Sequence, residues 1–186
     1  MSWSLGEIEA LARKAAHGAG KPWGVAEEAG WAVRWLARAG LPGPEALAVG
    51  LQNTAGKCPL VFGCALSDPG DLNLSSTIGP IVQPLLALPF LGRNCPDGRA
   101  VVAAIGPARA KVSSDTAVVS GTVPALGHIE VQGDCAAPEP VLSVSRVAEV
   151  TPDAMAVLKR FAARTYAPST AASRALGAGA GLTDND

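Results

Sequence analysis

Residues 99–112, "RAVVAAIGPARAKV", combine two short runs that contain valine or isoleucine with a Gly-Pro pair between them. This pattern predicts two β-strands joined by a turn, because β-branched residues favour strands and Gly and Pro favour turns. Similar short runs follow at "TAVVSGTV", "HIEVQG" and "VLSVSRVAEV". Because no helical pattern separates these runs, we expect them to form one antiparallel sheet.

The sequence before this region is typical of helices. Ser4 stands three residues before Glu7, which is the spacing of a capping box at the start of a helix. Apolar residues then recur at helical spacing, and further helices are predicted at about 25–39 and about 44–51. The stretch "PLVFGCAL" is continuously apolar, so its pattern fits either a buried strand or a buried helix.

Helix is predicted again after the strand region. Thr151 suits the N-cap position and Pro152 the first helical position. The sequence therefore predicts an α+β protein that forms a single domain over 1–186. Its predicted parts are an N-terminal helical cluster at 1–55, a mainly β region at 56–150, a helical region at 151–176, and a Gly-rich tail at 177–186.

Composition argues against several classes of function. The net charge is −1 and like charges do not cluster, so the chain lacks the basic footprint of a nucleic-acid-binding protein or of a protein bound to anionic lipid. The first residues contain no basic region typical of a secretory signal. The most apolar run, "PIVQPLLALPFL", is too short to span a bilayer. We therefore expect a cytoplasmic protein that binds neither nucleic acid nor membrane.

Metal and cofactor motifs are not evident in the sequence. Its four cysteines form no CxxC pair and no Cys/His cluster, so we expect reduced thiols in or near the core. We predict no metal site and no cofactor.

The C-terminal stretch "RTYAPSTAASRALGAGAGLTDND" holds the densest mixture of donors and acceptors in the chain. On a short helix, Ser169 and Ser173 would share a face with Arg174 beside them, and such a face could hold a small carboxylate. The candidate acid or base is Tyr166, which would need a nearby cation. The candidate binding residues are Arg164, Ser169, Ser173, Arg174, Gly177, Gly179, Gly181, Asp184, Asn185 and Asp186.

The same stretch has other interpretations. It could be an ordinary solvated terminus. A phosphate loop is disfavoured, because no helix follows the glycines and the acids would repel phosphate. Asp184, Asn185 and Asp186 could chelate a hard cation, but metal sites usually draw on ligands fixed by a surrounding fold.

All four tryptophans lie in the first 35 residues, and Trp31 and Trp35 stand one helical turn apart. Tryptophan is favoured at interfaces, so this pair is a candidate docking face for a partner. Alternatively, the rings cover the seam between the helices and the sheet.

The opening "SLGEIEALARKAA…WGVAEEAGWAVRWLARAGLPG", the central "IGPIVQPLLALPFL" and the closing segment together resemble a family of small bacterial proteins whose function is unknown. The resemblance implies that the helical start and the Gly-rich end belong to one unit. It implies no activity, cofactor or catalytic residue.

Two functions remain open from the sequence. The first is a non-catalytic accessory or binding protein whose tail or tryptophan face engages a partner protein or a second copy. The second is an enzyme for a small carboxylate-bearing metabolite, in which Tyr166 is the acid or base and Ser169, Ser173 and Arg174 hold the substrate.

Overall fold

The computed structural model describes residues 2–53, 56–66, 77–93, 95–138 and 146–166. The described helices are α1 (Leu5–Gly18), α2 (Trp23–Arg38), α3 (Gly43–Gln52), α4 (Pro59–Leu66), α5 (Leu88–Arg93) and α6 (Pro152–Ala162). The described strands are β1 (Ser2–Ser4), β2 (Thr77–Val82), β3 (Arg99–Ile105), β4 (Ala108–Val112), β5 (Ala117–Ser120), β6 (Leu126–Ala136) and β7 (Val147–Glu149). The predicted α+β class is confirmed.

The first helix begins at the predicted capping box. The Ser4 hydroxyl accepts the Glu7 backbone N–H at 3.2 Å, and the Ser4 backbone N–H donates to the Glu7 carboxylate at 3.0 Å. The Ser4 hydroxyl also donates to that carboxylate at 2.7 Å. These bonds satisfy donors that the first turn of a helix leaves without intrahelical partners.

Helices α1, α2, α3 and α6 pack together into one layer. The contacts of α1 are unusually close because glycine lies at two of them. A Cβ on Gly30 of α2 would lie 2.9 Å from the Glu9 carbonyl oxygen, and one on Gly18 would overlap the carbonyl oxygen of Phe161 in α6. The first helix therefore makes backbone contact with its sequence neighbour and with the last helix.

The main sheet is antiparallel, with its five strands in the order β2-β6-β3-β4-β5. In β4, the buried Ala108, Ala110 and Val112 alternate with the exposed Arg109 and Lys111. One face of the sheet thus packs toward the core while the other carries charged residues, as expected for an antiparallel sheet covered on one side.

The segment Pro84–Gly92 connects the two layers. All of its residues are buried, and α5 packs on β3 and β4 as well as on α2 and α4. Trp35 of α2 adds a polar contact, since its indole N–H donates to the Ser114 carbonyl oxygen at 2.9 Å in the β4–β5 turn. The helical layer and the sheet share one cluster of buried side chains.

One strand differs from the expectation, and one ambiguous segment is resolved. The run that ends in "RVAEV" contributes β7, which was expected in the main sheet but pairs with β1 instead. Because β7 leads directly into α6, its chain has already turned toward the helical layer where β1 lies. The ambiguous "PLVFGCAL" forms α4.

We predict that Gly18→Ala destabilises the protein by roughly 1–3 kcal/mol or more, because the new methyl group forces α1 away from α6. Chemical denaturation of the purified variant measures this change. Gly6→Ala in the same helix is the matched control, since nothing lies within 4 Å of a Cβ there. Equal stability of the two variants would contradict the close helix contact.

The capping box also predicts a pH dependence. The hydrogen bonds from the Ser4 side chain and backbone lower the pKa of Glu7 from its ordinary value of 4.5. A lowered native pKa gives stability that is complete above the unfolded pKa and is lost as pH falls through the native one. Glu7→Gln should therefore flatten the dependence of unfolding free energy on pH below about 5. Chemical denaturation over that pH range measures this for the unmodified protein, for Glu7→Gln and for the control Glu130→Gln. If the capping box has no such effect, Glu7→Gln will show the same pH dependence as the unmodified protein and the control.

Candidate functional site

Most of the predicted C-terminal site lies outside the described residues. This applies to Ser169, Ser173, Arg174, Gly177, Gly179, Gly181, Asp184, Asn185 and Asp186. Tyr166 and Arg164 are described, and both lie just after α6.

Tyr166 is 64% exposed and lies beside α1. Its hydroxyl is 3.5 Å from the Lys14 ammonium, which also approaches the ring to 5.5 Å from the centroid. The Arg164 guanidinium instead lies over the Phe161 ring at 4.7 Å. The cation beside Tyr166 is thus Lys14, a residue that sequence reasoning did not select because it lies 152 positions away.

A second exposed aromatic residue contacts the same helix. Trp23 is 56% exposed and its ring meets the His17 ring edge-on, with centroids 5.0 Å apart. His17 and Lys14 are three positions apart on α1, so they share one face of it. We call Lys14, His17, Trp23 and Tyr166 the aromatic surface.

The predicted tryptophan pair is split between two environments. Trp35 is only 6% exposed and is held by its bond to Ser114 in the seam between helices and sheet. Trp31 is half-buried at the edge of the helical layer, where its ring meets Phe90 edge-on at 5.3 Å.

Trp31 lines a cavity of about 340 Å³. We call this the charged cavity, because five ionisable side chains line it beside the indole. Its lining residues are Glu9 and Arg13 of α1, Glu27, Glu28 and Trp31 of α2, and Arg93 at the end of α5.

One wall of the charged cavity is a stack of three side chains. The Arg93 guanidinium lies over the Trp31 ring at 3.7 Å from the centroid. Its two terminal nitrogens donate to the two Glu28 carboxylate oxygens at 3.1 and 2.5 Å. A bidentate pair fixes both side chains in one plane, and the indole beneath it restricts the plane further. This wall is therefore already ordered before any ligand arrives.

The other charges of the cavity differ in their pairing. Glu9 accepts a bond from Arg34 at 2.9 Å. Among the residues that the structure describes, neither Arg13 nor Glu27 forms an ion pair or a side-chain hydrogen bond. The cavity thus offers one cation and one anion that have no counter-ion among the described residues.

The pKa of the Cys64 thiol responds to this region. Burial, and then the Glu28 carboxylate, raise the pKa of its thiol, while Arg93 acts in the opposite direction. A raised pKa keeps the thiol protonated and weakly nucleophilic at neutral pH. The four cysteines are half-buried free thiols, and all of them lie within the described residues.

A second cavity, of about 390 Å³, lies between β7 and the turn that leads from α2 into α3. It is lined partly by Glu45, whose carboxylate accepts the Thr151 backbone N–H at 2.9 Å and so tethers α3 to the start of α6. The other Glu45 oxygen and the Trp3 indole N–H are buried without a hydrogen-bond partner in the described part of the chain.

Within the described ranges, no group of three or more His, Cys, Asp or Glu side chains is arranged to hold a metal ion. None of the helices described there has the length and apolarity needed to cross a membrane.

Residues 3–70 match the family described as "Protein of unknown function (DUF3726)". The resemblance to a family of unknown function is thus confirmed for the N-terminal part of the chain. No curated protein and no solved structure matches this chain.

The family match spans β1 and helices α1–α4. It includes five of the six residues that line the charged cavity, all except Arg93. It also includes Lys14, His17 and Trp23 of the aromatic surface, whereas Tyr166 lies beyond it.

The two ion pairs around the charged cavity should differ in their coupling energy. Glu28 and Arg93 each have 30% of their side chain exposed and are joined by two bonds, whereas Arg34 is 53% exposed and bonds Glu9 once. A double-mutant cycle with Glu28→Gln and Arg93→Met should give a coupling energy of about 1 kcal/mol. The matched cycle with Glu9→Gln and Arg34→Met should give roughly 0.3 kcal/mol. Urea unfolding measures both coupling energies, and equal values would mean that the Glu28–Arg93 pair interacts no more strongly than a surface pair.

Proposed function

We propose that this chain is a non-catalytic accessory or binding protein of the cytoplasm, and that residues 177–186, the C-terminal segment, engage a partner protein. The observation that carries this proposal is the aromatic surface. Its two aromatic side chains are exposed, and Tyr166 is the last described residue before the C-terminal segment.

The chemistry of this surface suits protein recognition. Tryptophan and tyrosine are enriched among the residues that contribute most to protein–protein binding, because each buries a large area while keeping a polar tip. Trp23 and Tyr166 both contact α1, so a partner that reaches one of them can reach the helix face between them.

The charges near the aromatic surface indicate the kind of partner. Lys14 belongs to the surface. Lys21 lies beside it, since its backbone carbonyl oxygen is 3.4 Å from Nδ1 of His17. Arg164 is exposed just after α6. A partner that presents carboxylates to this side would be attracted and oriented by these cations.

The C-terminal segment adds a complementary element. Gly177, Gly179 and Gly181 let the backbone enter a groove too narrow for larger side chains. Asp184 and Asp186 would then pair with cations of the partner. The proposed partner therefore has an acidic surface that faces the aromatic surface and a basic groove that binds the C-terminal segment.

The experiment isolates the full chain and a version ending at Leu176 from the native cell under mild conditions and identifies co-purifying proteins by quantitative mass spectrometry. We expect a stoichiometric partner with the full chain and its loss with the shorter one. Binding of the purified partner should weaken at least about tenfold in Trp23→Ala and in the double variant Asp184→Ala/Asp186→Ala.

The matched control is Asp97→Ala/Asp115→Ala, which removes two exposed acids elsewhere. Its affinity should equal that of the unmodified chain. Full retention of the partner by the version ending at Leu176 would contradict the role of the segment, and unchanged binding by Trp23→Ala would contradict that of the aromatic surface.

A further inference from the structure

The charged cavity is lined by different residues from those of the aromatic surface, and the proposed function does not use it. Its negative and positive side chains are equal in number when Arg34 is counted. Three carboxylates line it, and they are matched by Arg13, Arg93 and the Arg34 that pairs with Glu9. Among the charged side chains that line the cavity, only Arg13 and Glu27 have no counter-ion within the described part of the chain.

We propose that the charged cavity binds a small zwitterion, a molecule that carries one carboxylate and one ammonium group, such as a free amino acid. Arg13 takes the carboxylate, because a guanidinium offers paired N–H donors that match two carboxylate oxygens. Glu27 takes the ammonium group. Trp31 supplies the apolar contact for the ligand's carbon atoms.

Arg13 lies on α1 and Glu27 lies on α2. Both line the cavity, yet no ion pair joins them. A ligand with two opposite charges satisfies both at once, whereas a ligand with a single charge leaves the other unpaired and partly desolvated.

The alternatives fit the cavity less well. Phosphate-rich ligands would meet the carboxylates of Glu9, Glu27 and Glu28, and repulsion would oppose their entry. Purely apolar ligands would displace water from Arg13 and Glu27 without replacing its hydrogen bonds. The volume of about 340 Å³ falls at the small end of ligand pockets, which suits a metabolite of amino-acid size.

The stacked wall contributes to selectivity. Arg93 is held by both Glu28 oxygens and by the Trp31 ring, so it is already engaged. Among the described residues that line the cavity, Arg13 is the cation without a counter-ion. A preformed wall also avoids the entropy cost of ordering these side chains when a ligand binds.

The experiment titrates the full chain with each of the twenty free amino acids by isothermal calorimetry. We expect saturable binding of at least one of them, with a Kd between about 10 µM and 1 mM. Its deaminated analogue, which has only the carboxylate, and its decarboxylated analogue, which has only the amine, should each bind at least about tenfold more weakly.

Variants then assign the two charges. Arg13→Met should weaken binding of the amino acid at least about tenfold and leave binding of the amine-only probe unchanged. Glu27→Gln should also weaken binding of the amino acid at least about tenfold, but it should leave binding of the carboxylate-only probe unchanged. The matched controls are Arg38→Met and Glu130→Gln, which remove exposed charges away from the cavity. Thermal unfolding confirms that each variant is folded, and Arg13→Lys, which keeps the charge but loses the fork, replaces Arg13→Met if that variant does not fold.

The proposal is overturned if no free amino acid binds saturably up to about 20 mM. It is also overturned if a single-charge analogue binds as tightly as the amino acid, or if Arg13→Met and Glu27→Gln bind it as the unmodified chain does. The version ending at Leu176 should bind the amino acid normally, so the outcome here is independent of the outcome for the C-terminal segment.

Discussion

The absence of a side chain at Gly18 and Gly30 lets α1 lie in backbone contact with α6 on one side and with α2 on the other. Much of the remaining architecture depends on these two contacts. The contact at Gly18 draws the last described helix onto the first, and it is accompanied by the pairing of β1 with β7. The contact at Gly30 sets Glu9 and Arg13 beside α2, because both residues are the neighbours that a Cβ at Gly30 would meet. The charged cavity therefore exists where two helices approach more closely than ordinary side chains allow.

The two candidate sites depend on the helical layer in different ways. The charged cavity needs α1, α2 and α5, and Arg93 reaches it only because the buried segment Pro84–Gly92 runs between the helices and the sheet. The aromatic surface needs α1 and the turn after α6. None of the described residues that form the two sites belongs to the main sheet, which supports α5 and anchors α2 through Trp35. Family similarity is concentrated in the same helical part of the chain.

The sequence predicted what is local and missed what is distant. The capping box could be recognised because Ser4 and Glu7 are three residues apart, and α6 because its N-cap and apolar face lie within a dozen residues. The continuous apolar character of "PLVFGCAL" carried no period that distinguishes helix from strand. The pair Glu28–Arg93 spans 65 positions and Lys14–Tyr166 spans 152, so only the folded chain shows that they meet. The same limit applied to β7, whose composition predicts a strand but not its partner.

The helical layer is lined mainly by alanine, including Ala12, Ala15, Ala16, Ala26, Ala29 and Ala32, all fully buried. The region around α5 is instead filled by large side chains such as Leu86, Leu88, Phe90 and Leu91. An alanine loses no side-chain rotamer freedom on folding, so the helical layer gains its order at little entropic cost. The buried alanine positions have almost nothing to truncate and no room to enlarge. They should therefore be intolerant of added volume, whereas the large side chains of the inter-layer segment should be intolerant of truncation.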